Sequence, residues 1–327
     1  MNQLMSVAEV SALIRQGRCL SLAAPEAVLS SLPAGSWIGG TTPYFMTPDG
    51  VCTRGDGQVF VTDLSALGDV RIASFADHQV QDIVEHAPAN GFALTVVPAG
   101  STMLQRFAAE STLHPDAFMK PTMGWIAGVH LQDLGRVQPK TFDGRGPTAY
   151  ANKAVVAYVS LPPGKLASVE IVNIFEPDGA DLLHFDETSF SPSHCRVNGE
   201  RVAFYDYVLS KGADIMRSPL VGDFAGAHIN ASFQMIDTEA RAVRLYAPVF
   251  EGVDYHVARP IPDYVQALRA RLKGLDMHNA FLGCNCILNY LYGELEGQQI
   301  GGLVGPITFG EIGYQLLNQT VVVMRVH

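Results

Sequence analysis

The residues whose types could do chemistry are most concentrated near the C-terminus, in residues 301–313. Five glycines fall within these thirteen residues. Between them stand one hydroxyl side chain, Thr308, and one carboxyl side chain, Glu311, in otherwise uncharged sequence. A carboxylate in apolar surroundings is costly unless it is paired or holds a polar ligand. We therefore predict that Thr308, Gly310 and Glu311 line a ligand-binding site.

A second glycine-rich segment, residues 38–45, partly repeats this arrangement. Thr41 and Thr42 directly follow Gly39 and Gly40, so hydroxyl groups again stand just after glycines at the end of a predicted strand. We predict that Thr41 and Thr42 contribute to the same site. The alternative is structural, because glycines also permit tight turns and the close approach of neighbouring strands.

Two cysteines separated by one residue, Cys284 and Cys286, are a further candidate. On a strand, side chains two positions apart point to the same face. A cysteine nucleophile needs a histidine or another cation nearby to lower its thiol pKa from about 8.5. His228, His256 and His278 are candidates, and their spacing does not select one. The alternative is that both cysteines fill a buried strand, as free cysteines commonly do.

The remaining motifs argue against cofactor chemistry. The sequence has no P-loop, no Gly-x-Gly-x-x-Gly opening a helix after a strand, and no Gly-x-Ser-x-Gly nucleophile turn. Histidines and cysteines also lack the paired spacing of metal sites. We therefore predict no cofactor, no metal and no assigned catalytic residue. An enzyme remains the second hypothesis, with Glu311 as general base or a cysteine as nucleophile.

Composition limits the class of protein. The chain has 327 residues, of which 48% are hydrophobic and 17% are charged, enough to bury a large core. Its net charge is −10, with no basic cluster, which disfavours a nucleic-acid partner. Five scattered cysteines favour a reducing compartment. With no signal peptide and no continuous apolar segment of membrane-spanning length, the sequence predicts a cytoplasmic protein without membrane segments.

Short strands and short helices alternate along the first part of the chain. Apolar residues at helical spacing predict a helix over Val7–Arg15, and Ser101 is a candidate N-cap for a helix that ends at Glu110. Residues 132–150 are polar and rich in glycine, which predicts a long loop. No regular alternation of strand and helix is sustained. The pattern predicts an α+β fold, with mixed β-sheets layered with helices.

A polar stretch, residues 186–193, predicts the boundary between two related halves, residues 1–189 and 190–327. The second half opens with Asn198-Gly199, a strong signal for a two-residue β-hairpin turn. Further along, we predict a helix over residues 262–273, a buried strand over residues 280–284 and a helix over residues 285–296.

Several of these segments resemble the FIST family of sensory input domains. Its C-terminal half ends in a motif that residues 308–312 (Thr-Phe-Gly-Glu-Ile) match closely, followed by Asn318 and Thr320 and an apolar strand. Residues 39–42 resemble a glycine–cysteine–serine–threonine turn of the N-terminal half. The chain departs from the family where Gly40 replaces a cysteine. It departs again at Asn289, which stands where an arginine usually follows Cys286.

The resemblance implies two FIST-like halves and a cytoplasmic sensory role: binding a small polar metabolite, for which amino acids are candidates, and signalling through a protein partner. Carried onto this sequence, the predicted ligand-binding residues are Thr41, Thr42, Cys286, Asn289, Thr308, Gly310 and Glu311. Hydroxyl and amide groups would orient the ligand, and Glu311 would hold a ligand ammonium or an arginine of the protein. The third hypothesis is a structural or interaction protein.

Overall fold

The computed structural model describes residues 2–55, 57–275, 277 and 279–327. It confirms the α+β class, because β-strands in several mixed sheets are layered with short helices. In the described residues the α-helices are α1 (Val7–Arg15), α2 (Glu26–Leu29), α3 (Val80–Glu85), α4 (Thr102–Glu110), α5 (Phe204–Ser210), α6 (Tyr264–Lys273) and α7 (Ile287–Tyr292).

The strands follow one another closely along the chain. In the first part they are β1 (Asn2–Ser6), β2 (Leu20–Ala24), β3 (Trp37–Thr41), β4 (Tyr44–Thr47), β5 (Gly50–Thr53), β6 (Gln58–Asp63), β7 (Asp69–Ala76), β8 (Gly91–Pro98), β9 (Thr122–Ala127), β10 (Thr141–Asp143), β11 (Thr148–Tyr150), β12 (Lys153–Ser160) and β13 (Ala167–Asn173). In the second part they are β14 (Leu183–His184), β15 (His194–Val197), β16 (Glu200–Ala203), β17 (Leu220–Phe224), β18 (Ala227–Ala231), β19 (Phe233–Asp237), β20 (Ala242–Leu245), β21 (Asp254–Val257), β22 (Ala280–Cys286), β23 (Gly305–Thr308), β24 (Glu311–Gly313), β25 (Gln315–Leu317) and β26 (Thr320–Val326).

The chain divides into two compact units. Unit 1 contains Met1–Val172, Leu272–Leu316 and Val321–His327, and unit 2 contains Asn173–Arg271 and Leu317–Thr320. Each unit is a set of residues that contact one another more than they contact the rest of the chain. The predicted division after residue 189 is a different statement, because it concerns two halves that are related in sequence. That division stays a prediction.

Unit 1 holds three six-stranded sheets. Sheet 1 has the order β1-β6-β2-β3-β10-β11, sheet 2 the order β25-β24-β9-β8-β12-β7, and sheet 3 the order β13-β26-β22-β23-β4-β5. Each mixes one parallel pair, namely β2 with β3, β8 with β9 and β22 with β23, with antiparallel neighbours.

Sheets 1 and 2 pack face to face, with helices on the outer side of each. Helices α1 and α2 contact sheet 1, and α3 and α4 contact sheet 2. Between the sheets, β3 contacts β8, β9 and β12. All five residues of β2 are buried, because the strand lies between β6 and β3 inside sheet 1 and α2 packs on it.

The sequence explains why α1 and α4 form where they do. Ser6 and Glu9 make a reciprocal capping box at the start of α1, and Val10 and Ile14 bury one face of that helix against sheet 1. The Ser101 hydroxyl accepts a hydrogen bond from the Leu104 backbone N–H at 3.0 Å, which caps α4 as expected. Both predicted helices are confirmed with the bounds that the sequence indicated.

Gly40 sits at the contact between sheets 1 and 2. A Cβ atom at this position would lie 2.5 Å from the Trp125 ring and 2.6 Å from Val96. Trp125 is 1% exposed, so the ring has no open space into which it could move. A side chain on Gly40 would therefore force the two sheets apart.

Unit 2 contains a six-stranded sheet, sheet 4, with the order β16-β15-β14-β21-β17-β18, and the separate hairpin β19-β20. Its core gathers aromatic side chains, among them Phe185, Phe204 and Tyr255, whose rings meet edge to face. The turn at Asn198 and Gly199 joins β15 to β16 in a two-residue hairpin, as predicted.

Two sequence predictions were wrong in detail. Residues 132–150 are not a continuous loop, because β10 pairs with β3 at the edge of sheet 1 and β11 pairs with β10. The helix predicted over residues 285–296 covers only Ile287–Tyr292. Asn285 and Cys286 instead extend β22 beside β23. The helix ends before Gly293, and Glu294 then adopts a positive φ of 47°.

Replacing Gly40 with alanine should destabilise unit 1 by about 1–3 kcal/mol, because the new methyl group overpacks the contact with Trp125. The measurement is the midpoint of urea unfolding. Gly146→Ala is the matched control, since the nearest atom to a Cβ there lies 4.0 Å away. Equal midpoints for the two variants would contradict the close approach of the sheets.

Candidate functional site

The predicted site residues all belong to unit 1, where they lie on strands, beside strand ends or, for Asn289, on α7. Cys286 on β22 pairs with Thr308 on β23 in parallel register. Glu311 begins β24 and pairs with Trp125 of β9, so that the chain moves from sheet 3 to sheet 2 at Gly310. At this crossing the Ile126 backbone N–H donates to the Gly310 carbonyl at 2.8 Å.

The Thr42 and Thr308 hydroxyls bond to backbone atoms. Thr42 Oγ1 donates to the Ile307 carbonyl at 2.7 Å and accepts from the Tyr44 N–H at 3.3 Å. Thr308 Oγ1 donates to the Gly310 carbonyl at 2.9 Å. Both threonines are fully buried. Their hydroxyls therefore tie β3, β23 and β24 together, which is a positioning role. The direct ligand contact predicted from sequence stays a prediction.

Thr41 holds the end of β3. Its hydroxyl accepts a hydrogen bond from the Lys140 N–H at 3.0 Å, and its carbonyl accepts one from the Gly128 N–H at 2.7 Å. The Thr41 N–H donates to the Lys140 carbonyl at 2.9 Å. Thr41 is thus engaged on three of its polar groups by neighbouring backbone.

Glu311 is the predicted site residue whose side chain carries a carboxyl group. Its side chain is 0% exposed, so the carboxyl group has left water completely. Burial raises the pKa of the Cys284 thiol well above its usual range, and the nearby Glu311 carboxylate raises it further. Glu311 and Cys284 therefore share one interior environment, and the thiol stays protonated there.

Asn285 on β22 and Asn289 on α7 are two buried amides in the same segment of the chain. Asn289 Nδ2 donates to Asn285 Oδ1 at 2.8 Å, which orients the Asn285 amide. Asn285 is 0% exposed, and its Nδ2 has no hydrogen-bond acceptor among the residues that the structure describes. Sequence reasoning selected Asn289 and missed Asn285. The available signal was its position between the two cysteines, where a polar residue interrupts an apolar strand.

Glycines in this region serve close packing. A Cβ atom on Gly305 would lie 1.7 Å from the Gly283 carbonyl oxygen, where β23 runs beside β22. This contact favours the structural interpretation of the glycine-rich segment for Gly305.

Neither of the two candidate histidines that the structure describes belongs to the same unit as the cysteines. Cys284 and Cys286 belong to unit 1, whereas His228 and His256 belong to unit 2. His278 lies outside the described residues. Across the described part of the chain, no group of three His, Cys, Asp or Glu side chains is placed to hold a metal ion.

Unit 2 contains a groove that sequence reasoning did not find. It has a volume of about 640 Å³, and it is lined by Asp181, Val197, Asn198, Glu200, Val202, Asp206, Tyr207 and Ser210. Two of its three carboxyl groups are engaged by basic side chains. Asp181 accepts from Lys211 Nζ at 2.7 Å, and Asp206 pairs with Arg241.

Comparison with known proteins supplies a family. A family of unknown function, DUF6976, matches residues 5–327. The chain belongs to this family. No curated protein matches the chain. The FIST resemblance and its two halves stay predictions. Within the described residues, no helix is long and apolar enough to cross a membrane.

Replacing Thr42 with valine should lower the free energy of unfolding by about 1–3 kcal/mol, because the buried Ile307 carbonyl and Tyr44 N–H both lose a partner. Thr148→Val is the control, since the Thr148 hydroxyl is exposed and water can replace its bond to the Gly146 carbonyl. Urea unfolding compares the two. A midpoint unchanged by Thr42→Val would show that the hydroxyl does not link the strands.

Thiol labelling tests the state of the cysteines. At mildly alkaline pH we expect only Cys19, which is half-buried, to react with an aromatic disulfide reagent in the native protein. Cys284 should stay unreacted until the chain is unfolded, because burial and Glu311 both disfavour its thiolate. Cys19→Ser should abolish native labelling. Labelling of native Cys284 at the rate seen in urea would contradict the buried, protonated thiol.

Proposed function

We propose that this protein binds a small polar molecule, and that Glu311, Asn285 and Asn289 form the polar end of its site. The observation that carries the proposal is the pairing of two unusual buried groups in unit 1: the Glu311 carboxyl group is 0% exposed, and the Asn285 amide, oriented by Asn289, has an Nδ2 with no acceptor among the described residues. Buried polar groups are normally hydrogen-bonded. A donor left open in the interior is therefore a place where a ligand oxygen fits.

The two groups together define the ligand's chemistry. Asn285 Nδ2 is a hydrogen-bond donor and requires an acceptor oxygen on the ligand. Glu311 offers carboxyl oxygens, which favour an ammonium or another donor group. A small metabolite that carries both a donor and an acceptor meets these requirements, and amino acids are members of that class. Apolar neighbours strengthen each polar contact, because the local dielectric constant is low.

In the proposed site, the threonines support the ligand-binding residues by fixing the backbone of neighbouring strands. Thr42 and Thr308 hold the strand ends, and Cys286 stands beside Thr308 on the adjacent strand. A ligand at Glu311 would therefore contact groups whose positions are set by buried hydrogen bonds. Such support limits the cost of ordering side chains on binding.

The enzyme hypothesis has less support. A cysteine nucleophile requires a lowered thiol pKa, whereas burial and Glu311 raise the pKa of Cys284. Binding without a chemical step needs no such activation. We therefore propose binding, not catalysis, as the activity of this site.

The sensory role rests on the FIST resemblance. It is part of the proposal that the protein works in the cytoplasm and passes the ligand signal to a protein partner. The −10 net charge is consistent with a partner other than nucleic acid.

Native mass spectrometry of freshly purified protein tests the proposal, together with thermal shifts across a panel of amino acids, amines and carboxamides. We expect either a co-purified small molecule above the 35.3 kDa chain or a compound that raises the melting temperature. For that compound, Glu311→Gln should weaken binding by roughly 10-fold to 100-fold, because a charge-assisted hydrogen bond contributes about 1.5–3 kcal/mol.

The control is Glu239→Gln, which makes the same change at an exposed turn. Binding by this variant should equal that of the wild type. If Glu311→Gln lowers the melting temperature of the apo protein and leaves binding unchanged, the carboxyl group is structural and the proposed site is wrong. A bare chain that responds to no compound in the panel would also overturn the proposal, and turnover lost in Glu311→Gln would favour the enzyme hypothesis.

A further inference from the structure

The chain contains two Asn-Gly pairs in very different settings. Asn198 and Gly199 form the exposed turn between β15 and β16, with φ angles of 52° and 94°. Asn90 and Gly91 stand at the start of the buried strand β8, where Gly91 pairs with Ser160 of β12. The local dipeptide is the same, so any difference in reactivity between them comes from the tertiary structure.

Asn-Gly pairs can undergo spontaneous deamidation. The deprotonated backbone nitrogen of the glycine attacks the side-chain Cγ of the asparagine, a C–N bond forms, and the amide nitrogen leaves as ammonia. Water then opens the resulting succinimide to aspartate or isoaspartate. Glycine favours the attack because no Cβ shields its nitrogen and its backbone rotates freely.

The space and contacts around Asn198 allow this reaction. A Cβ atom placed on Gly199 would have nothing within 4 Å, so no neighbouring chain covers the glycine of this turn. The Asn198 Oδ1 accepts a hydrogen bond from the Leu182 N–H at 3.0 Å. That bond draws electrons from the side-chain carbonyl and makes Cγ a better electrophile.

The contacts around Asn90 oppose the reaction. A Cβ atom on Gly91 would lie 1.9 Å from the Val159 carbonyl oxygen, which shows how closely β12 covers this backbone. Asn90 Nδ2 donates to the Leu161 carbonyl at 3.1 Å, so this amide is held, as the Asn198 amide is held by Leu182 and Asp181. The difference between the two sites is the cover that β12 provides over Gly91. Succinimide formation here would require β8 to separate from β12.

We propose that Asn198 is a deamidation site of the folded protein, that Asn90 is protected by the fold, and that reaction at Asn198 loosens the groove of unit 2. The amide of Asn198 donates to Asp181 Oδ1 at 2.9 Å. A carboxylate in its place faces Asp181 as a like charge. Isoaspartate adds a methylene to the main chain within a two-residue turn, which alters the pairing of Val197 with Glu200.

Peptide mapping by mass spectrometry measures both sites in one sample. The full-length protein is held at mildly alkaline pH and physiological temperature, once folded and once in urea, and conversion of Asn to Asp or isoAsp is followed over time. In urea both pairs should react at similar rates. In the folded protein Asn90 should react at least about tenfold more slowly than in urea, because local opening is required. Asn198 should stay within a few-fold of its urea rate.

The product is tested with Asn198→Asp, beside Asn198→Ser as a control that removes the amide without adding charge. Asn198→Asp should lower the melting temperature more than the control at neutral pH. The difference should shrink as the pH falls and the carboxylates are protonated. Protection of Asn198 as strong as that of Asn90 would overturn the deamidation site. Equal melting temperatures for the two variants would overturn the effect on the groove.

Discussion

The contact of Gly40 with Trp125 and Val96 is the constraint on which unit 1 depends. Sheets 1 and 2 meet here without room for a methyl group, and helices cover the outer side of each sheet. This spacing brings the end of β3 close to the strands of sheet 3, where the Thr42 hydroxyl reaches the Ile307 carbonyl. The glycine therefore has a packing role. It sets the position of the group of polar residues that we call the polar cluster, namely Thr42, Asn285, Asn289, Thr308 and Glu311.

The polar cluster contains two kinds of residue: threonines that hold strand ends, and side chains whose transfer from water to the interior costs free energy. Thr42 and Thr308 donate to backbone carbonyls and hold the chain where it crosses from sheet 3 to sheet 2. Glu311 lies directly after this crossing, without exposure to water. In a core with only a structural role, apolar residues of similar volume often give equal or greater stability than buried charged groups. The presence of an acid and two amides is the reason why we propose binding in this region.

Unit 2 differs in character, because its notable polar groups lie on a groove and on a hairpin turn. Asp181 is bonded there to Asn198 and Lys211, and these bonds lower the pKa of its carboxyl group, the one from Lys211 most. The same Asn-Gly signal that specifies the turn also introduces a reactive amide. Its effect depends on the charges that the fold places beside it.

Local sequence signals determined the elements that carry their own start and stop residues. Ser6 with Glu9 and Ser101 set the starts of α1 and α4, and the Asn198 turn set the β15-β16 hairpin, because each acts within a few residues of chain. These signals also indicated Glu311 as an unusual residue. They were insufficient for residues 132–150, where β10 forms only because β3 supplies an edge.

Only the tertiary structure decided how the site residues are used. The sequence predicts Thr42 and Thr308 as ligand-binding residues, which stays a prediction. The structure adds that hydrogen bonds to residues distant in the chain or beyond the strand end engage both hydroxyls. Asn285 was missed because its open Nδ2 depends on the partner that Asn289 provides and on burial from neighbouring strands. Residue type and spacing reveal which groups are available for chemistry. Which of those groups remain available after folding depends on long-range contacts that no local pattern encodes.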